Sequence, residues 1–168
     1  MTFKDISNLW TTTENTYDFQ EIVNSLNPTE LKKWIKNHSN IYQENFVIMY
    51  HGTSTSHNIK EQGLLKTSNS RKKSIQSQPG FVYLSLYEDS AKLFGELAYP
   101  HGTKSLYAVK VPVKDLKVDK DQLYNKRAWG GEEFQGLKDN LVNSLIYGNG
   151  ARVKRNVENY EVRLVEIY

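Results

Sequence analysis

Two short apolar runs, at residues 46–50 and 80–84, are the clearest pattern of hydrophobic positions in this chain. Each run is bounded by turn-forming or hydroxyl residues, which is typical of a buried strand that ends in a turn. The first run leads directly into His51 and Gly52. A hydrogen-bonding ring and a residue without a side chain, at the end of a buried strand, favour a ligand-binding position. An isolated pair of this kind is more often a surface histidine beside a turn glycine, so the rest of the chain has to decide.

Helical spacing of apolar residues marks the first 45 residues, which are otherwise polar. A first helix is predicted at 17–26, where apolar residues recur at i, i+3, i+4 and i+7. A second helix has a well-defined start, since Asn27 suits the N-cap, Pro28 suits position N1 and Glu30 completes a capping box. Neither helix carries an evident catalytic residue. We expect this segment to pack as a helical lid or brace on the domain that follows.

The chain after residue 45 shows both helical and strand patterns. A short helix is predicted before Gly63, because glycine suits the residue that follows a helix C-terminus. Alternating apolar and polar residues predict a strand at 105–113, and Pro112 marks its end or an edge position. The further predicted elements are helices at 88–97 and 137–147 and strands at 151–155 and 160–167.

Composition limits the class of protein. A length of 168 residues with 38% hydrophobic and 24% charged residues is ordinary for one globular domain. The net charge of +3 permits an anionic ligand, but it is lower than the charge typical of a dedicated nucleic-acid-binding protein. The chain has no cysteine, which excludes disulfides, thiolate nucleophiles and cysteine metal sites. Without a signal-peptide pattern or an apolar run of about 18 residues, the expected location is the cytoplasm, the protein's own or a host's.

Four motifs, in order along the chain, resemble those of ADP-ribosyltransferases. The resemblance is to the His-Tyr-Glu branch, which includes diphtheria-type toxins, poly-ADP-ribose polymerases and small phage or bacterial mono-ADP-ribosyltransferases. It covers residues 46–168 and implies an α+β fold of split antiparallel β-sheets with flanking helices, preceded by a helical extension at 1–45. The motifs are Tyr-His-Gly-Thr-Ser at 50–54, Ile-x-x-x-Gly-Leu at 59–64, Gly-Phe-Val-Tyr-Leu-Ser at 80–85, and a late strand that carries Glu161.

The resemblance also implies a site for NAD, which the reaction consumes as a substrate. His51 would bind a ribose hydroxyl of NAD, Gly52 would hold the nicotinamide carboxamide through its backbone, and Tyr83 would stack on the nicotinamide ring. Phe94 stands where the family often has a second aromatic residue, but it lacks the hydroxyl of a tyrosine. The other implied neighbours are Thr53 and Ser54 near the adenosine ribose and Ser85 beside the nicotinamide pocket.

A carboxylate is the third expected catalytic group, beside His51 and Tyr83. Cleavage of the bond between ribose and nicotinamide develops positive charge on the sugar, which a nearby carboxylate stabilises. A lone tyrosine or glutamate in a strand is more often an ordinary strand residue, and it is the joint occurrence with His51 that favours a site. Glu161 best matches the family's glutamate, and the alternatives are Glu158 and the pair Glu132 and Glu133.

A basic loop follows the short helix. Arg71, Lys72 and Lys73 lie in a polar stretch at 66–80. Such a charge run is either a solvated loop or a flexible flap that neutralises phosphates, and an NAD site favours Arg71 as a phosphate contact. The His, Asp and Glu residues do not show metal-ligand spacing, so no metal is expected.

The predicted function is mono-ADP-ribosyl transfer from NAD to a macromolecular acceptor, expected to be a protein. No membrane partner is indicated, and a nucleic-acid acceptor is permitted without being indicated. A phage-encoded effector that modifies a host factor fits the small, Asn- and Lys-rich chain. One alternative is an RNA 2′-phosphotransferase, although that family has a histidine in place of Tyr83 and needs arginines that do not match here. The other is a catalytically silent NAD- or nucleotide-binding module, or an inhibitor that acts by binding a protein.

Overall fold

The computed structural model describes residues 10–11, 13, 15–67 and 77–168. Helices and strands are interspersed along this part of the chain, so the expected α+β class is confirmed in its coarse form. The strands are β1 Thr16–Asp18, β2 Phe46–Ser54, β3 Val82–Ser85, β4 Lys104–Pro112, β5 Leu116–Lys117, β6 Gly150–Val153 and β7 Val162–Ile167. The helices are α1 Phe19–Ser25, α2 Pro28–His38, α3 Ile59–Gln62, α4 Glu88–Ala98, α5 Lys120–Trp129 and α6 Leu141–Gly148, with 3-10 turns at Val113–Asp115, Glu132–Phe134 and Asn159–Glu161.

The seven strands of the described residues form one sheet, in the order β5-β6-β3-β2-β4-β7, with β1 beside β2. β1 pairs with β2 in parallel, and the other strand pairs are antiparallel. The longest ladder joins β2 and β4, from Phe46 opposite Pro112 to Ser54 opposite Lys104. This ladder fixes the position of the residues that follow the first apolar run.

The sheet is nearly divided between β2 and β3. These strands meet at one pair in the described chain, Tyr50 opposite Ser85. Continuing that register would place Gly52 opposite Tyr83, but no ladder pair forms there. On its other side, β3 pairs with β6 along its whole length. The expected split into two sheets is therefore met only in part, since one residue pair keeps the halves joined.

The described part of the N-terminal segment packs into the same core as the rest of the chain. Helix α2 has the predicted start, because the side chain of Asn27 accepts from the backbone amide of Glu30 and the reciprocal bond is also present. Phe19 and Leu31 are fully buried in the core. Helix α1 begins later than predicted, because Tyr17 belongs to β1 and extends the sheet beside β2.

Helix α5 is the main element that the hydrophobic pattern did not predict. Its buried residues are Asp121 and Leu123, so it lacks the apolar stripe that marks an amphipathic helix. Its start is set by Asp119, whose side chain accepts a backbone hydrogen bond in the first turn. Helix α6 begins later than predicted because Asn140 caps its first turn in the same way.

Both apolar runs contribute to the core as the sequence predicts. Val47 and Met49 of β2 and Val82 and Leu84 of β3 belong to one cluster of buried apolar side chains. Residues of β4, β6, α1, α2, α3 and α6 also belong to that cluster. Within the described ranges, no helix has both the length and the apolar character needed to cross a membrane.

Candidate active site

The imidazole of His51 bridges the gap between β2 and β3. Its Nδ1 lies 2.7 Å from the backbone carbonyl oxygen of Tyr83. A carbonyl oxygen only accepts, so Nδ1 carries the proton and donates. In the neutral form of such a ring, Nε2 is an acceptor. The bond satisfies a strand carbonyl at the point where the ladder ends. It also fixes the plane of the imidazole ring relative to Tyr83.

Two adjoining cavities open at this gap. His51, Thr67, Tyr83 and Tyr99 line both cavities and form the partition between them. The central cavity, of about 110 Å³, is lined among others by Gly52, Ser77, Ser85, Phe94 and Asp119. The outer cavity, of about 450 Å³, is lined among others by Thr53, His57, Gln62, Lys66 and Phe81.

The phenol of Tyr83 is held by three hydrogen bonds. It donates to Oδ2 of Asp121 at 2.6 Å, and it accepts from the backbone amide of Gln78 at 2.7 Å and from Arg152 at 3.1 Å. Burial and the bond to Asp121 raise the pKa of this phenol. The hydroxyl therefore stays neutral at physiological pH, and the ring keeps one orientation at the partition.

A buried cation lies behind Tyr83. The side chain of Arg152 is 3% exposed, and its guanidinium lies 3.8 Å from the ring centroid of Phe81. It pairs with Asp121 at 3.4 Å. Its Nε has no hydrogen-bond partner among the residues that the structure describes. The charge of Arg152 is thus balanced by one buried carboxylate and an aromatic face.

A carboxylate also lines the central cavity. Asp119 is 4% exposed and caps α5 by accepting from the backbone amide of Gln122 at 3.1 Å. Burial raises the pKa of this carboxyl to about 6, with Asp121 adding to the rise and Arg152 opposing it. Ser77 lines the same cavity, and its buried hydroxyl has no hydrogen-bond partner in the described part of the chain.

The packing of α4 against β2 requires a glycine at position 52. A Cβ at this position would lie 2.3 Å from the backbone oxygen of Ala91 in α4 and 2.8 Å from the hydroxyl of Tyr168. Helix α4 therefore approaches β2 as closely as a glycine allows. The glycine expected for close approach of a ligand also meets this packing requirement.

Of the other residues implied by the resemblance, some line a cavity and others do not. Ser85 and Phe94 line the central cavity, and Thr53 lines the outer one. Ser54 is not among the described residues that line either cavity, and its hydroxyl bonds to that of a neighbouring serine. Arg71 and the rest of its basic run lie outside the described residues.

Glu161 is not brought to His51 and Tyr83. It is 6% exposed in the turn before β7, and its two carboxylate oxygens accept from Arg155 at 2.7 and 2.9 Å. Strand β4 separates β7 from β2, and Glu161 is not among the described residues that line either cavity. The three expected catalytic side chains therefore do not converge: two meet at the cavities, and the third forms an ion pair.

The alternative glutamates lie at exposed positions. Glu158 comes just before the 3-10 turn that contains Glu161. Glu132 and Glu133 lie in the 3-10 turn after α5. These three glutamates are not among the described residues that line the two cavities. The carboxylates close to the Tyr83 side chain and the central cavity come instead from Asp119 and Asp121.

Several residues of this region were not predicted from the sequence. The outer cavity holds His57, whose Nδ1 lies 2.8 Å from the hydroxyl of Thr53 and whose ring meets Tyr99 edge-on. Asp119 carried a weak signal as an N-cap residue, but no apolar pattern marked the helix behind it. Arg152 stands opposite Tyr83 in the β3–β6 ladder, which only the strand register reveals.

Comparisons of the chain with protein-family models, with curated proteins and with solved structures found no match. The function is therefore inferred from the geometry of the site. Within the described ranges, no group of three or more His, Asp or Glu residues is arranged to hold a metal ion.

Proposed function

We propose that the protein is a mono-ADP-ribosyltransferase that consumes NAD, releases nicotinamide and transfers ADP-ribose to a macromolecular acceptor. The observation that carries the proposal is the joint position of His51 and Tyr83 at the partition between the cavities, coupled by the 2.7 Å bond from Nδ1. An imidazole acceptor suits a ribose hydroxyl, and a fixed aromatic ring suits a flat leaving group.

The two adjoining cavities support a dinucleotide ligand. The central cavity would take nicotinamide and its ribose, between Tyr83, Ser85 and Phe94. The outer cavity would take the adenosine half, beside Thr53, and Lys66 in its lining supplies a cation for phosphate. His51 and Tyr83 line both cavities, so they would contact the ligand near its reacting ribose.

The acceptor is expected to be a protein, and a nucleic acid stays permitted. The expected place of action is a cytoplasm, that of the producing cell or of a host. Mass spectrometry of lysate proteins after incubation with the protein and NAD identifies the acceptor and the modified side chain.

Nicotinamide release and transfer from labelled NAD test the proposal. The wild-type protein is expected to release nicotinamide and label an acceptor. His51→Ala and Tyr83→Ala are expected to lower the rate at least about 100-fold, as for loss of a preorganised group. His101→Ala, at an exposed position, is the matched control and should keep the wild-type rate. A folded wild-type protein that releases no nicotinamide contradicts the proposal.

A catalytically silent NAD-binding module is the second candidate. The ion pair between Glu161 and Arg155 favours it, because the glutamate expected from the resemblance is engaged elsewhere. This candidate predicts NAD binding that depends on His51 without nicotinamide release. Calorimetric titration with NAD, run beside the release assay, separates the two candidates.

A further inference from the structure

The central cavity contains a carboxylate to which the His-Tyr-Glu pattern gives no role. We propose that Asp119, rather than Glu161, is the carboxylate that stabilises the reacting ribose and receives the proton of the incoming nucleophile. This assignment rests on the proposed function. Its geometric basis is that Asp119 lines the same cavity as His51 and Tyr83. Glu161, in the turn before β7, is bound by Arg155 and is not among the described residues that line this cavity.

Asp119 is held in place at the wall of the central cavity by hydrogen bonds with two other residues. Its side chain accepts the backbone amide of Gln122 and thereby caps α5, and its own backbone amide donates to the hydroxyl of Ser144 at 2.9 Å. The residue is almost fully buried. A fixed carboxylate with little surrounding water acts more strongly on a nearby positive charge than an exposed one does.

Ser77 gives an independent indication that a polar ligand completes this cavity. Its hydroxyl is buried, lines the central cavity, and lacks a hydrogen-bond partner among the described residues. Buried polar groups are nearly always paired in folded proteins. A ribose hydroxyl or a carboxamide entering the cavity, which Asp119 also lines, would supply the partner.

The chemical step balances with the groups at hand. The bond between the ribose carbon and the nicotinamide nitrogen breaks, and its electron pair leaves with neutral nicotinamide. Asp119 stabilises the positive charge that remains on the ribose. The lone pair of an acceptor oxygen or nitrogen then forms the new bond to that carbon, and the acceptor's proton passes to the carboxylate of Asp119 and from there to solvent.

The charges around Asp119 set the pH range in which it works. Asp121 and Arg152 act on it from α5 and β6, and the neutral phenol of Tyr83 and the imidazole of His51 face the same cavity. Burial raises the pKa of the Asp119 carboxyl to about 6, with Asp121 adding to the rise and Arg152 opposing it. The ionised form that the reaction needs is therefore lost as the pH falls below that value.

The assignment is tested with the full chain and NAD, in variants matched by chemistry. Asp119→Asn retains an N-cap residue, Glu161→Gln removes the expected glutamate, and Asp89→Asn is an exposed control in the first turn of α4. Nicotinamide release is measured between about pH 5 and pH 8, where an Asp119 base would change its charge. NAD affinity is measured separately by calorimetry, and folding by urea unfolding.

Asp119→Asn is expected to lower release at least about 100-fold while NAD affinity stays within about tenfold. Glu161→Gln and Asp89→Asn are expected to keep release within about tenfold of the wild type. The wild-type rate is expected to fall about tenfold per pH unit below the pKa of the essential carboxylate.

The assignment is overturned by a folded Asp119→Asn variant with near wild-type release, or by a folded Glu161→Gln variant that loses it. If Asp119→Asn does not fold, the wild-type profile decides: a rate that stays constant from neutral to about pH 5 rejects Asp119. If Asp119 is not the carboxylate, the wild-type protein is still expected to release nicotinamide. Absence of release from the folded wild type rejects the proposed function and this assignment with it.

Discussion

Arg155 holds both carboxylate oxygens of Glu161, at 2.7 and 2.9 Å. The same guanidinium donates to Asp115 at 2.9 and 3.1 Å, and Glu161 also accepts from the backbone amide of Glu158. Two-point pairing of arginine with a carboxylate is among the stronger polar contacts in proteins. The network joins the turn before β7 to the turn after β4, so the geometry gives Glu161 a structural role.

Glu161→Gln is expected to lower the free energy of unfolding by about 1–3 kcal/mol, because it removes a buried, charge-assisted pair. Urea unfolding measures the change. Glu132→Gln, at an exposed position, is the control and should shift stability by less than about 0.5 kcal/mol. Equal stability of Glu161→Gln and the wild type would show that the ion pair is not maintained in solution.

His51→Ala is expected to weaken NAD binding at least about tenfold, since it removes the acceptor proposed for a ribose hydroxyl. The free energy of unfolding should fall by about 1 kcal/mol, the usual contribution of one hydrogen bond to a carbonyl. Calorimetry and urea unfolding measure the two effects, with His101→Ala as the control. A large loss of stability with unchanged NAD affinity would make His51 a structural residue.

Tyr83→Phe separates the phenol ring from its hydroxyl. The ring still lines both cavities, so NAD affinity should stay within about tenfold of the wild type. The free energy of unfolding should fall by about 1–3 kcal/mol, because Asp121 and Arg152 each lose a buried hydrogen bond. Tyr83→Ala should abolish binding in the same titration. Equal affinities of the two variants would rule out ring stacking.

Gly52→Ala is expected to destabilise the protein by about 1–3 kcal/mol, the usual cost of forcing extra volume into a packed contact. The new Cβ would lie 2.3 Å from the backbone oxygen of Ala91, so α4 has to move. Gly136→Ala is the control, since no atom lies within 4 Å of the Cβ built there. Thermal unfolding of both variants measures the difference, and equal melting temperatures would contradict the close approach of α4.

Asp119→Asn is expected to change how stability depends on pH. The carboxyl pKa is about 6 in the folded protein against 3.8 as the ordinary value, so the folded state binds more protons between these limits. The free energy of unfolding of the wild type should therefore fall as the pH rises through that window, by up to about 3 kcal/mol relative to Asp119→Asn. Urea unfolding of both proteins at several pH values measures it. Parallel curves would contradict the raised pKa.

The elements with a strong local pattern were predictable. The two apolar runs lie in β2 and β3 and contribute alternate side chains to the core. The capping box of Asn27 and Glu30 begins α2 as expected. In these segments the local preferences and the global fold agree. Helix α5 was missed because its buried face contains Asp121 and a single leucine, which gives no helical stripe. Its position depends on packing against α6 and on the bonds of Asp121 to Tyr83 and Arg152, all of which lie far away in the chain.

Only part of the site could be derived without the fold. The sequence by itself determined that His51 directly follows one apolar run and that Tyr83 lies in a second one, because apolar runs tend to be buried. Tertiary structure alone decided that the two strands diverge after one residue pair, which opens the cavities and turns the imidazole toward the Tyr83 carbonyl. It also decided which carboxylates share that space. Strand order and register place Asp119 in the cavity and Glu161 beside Arg155, because contacts between distant segments are not encoded in any local pattern.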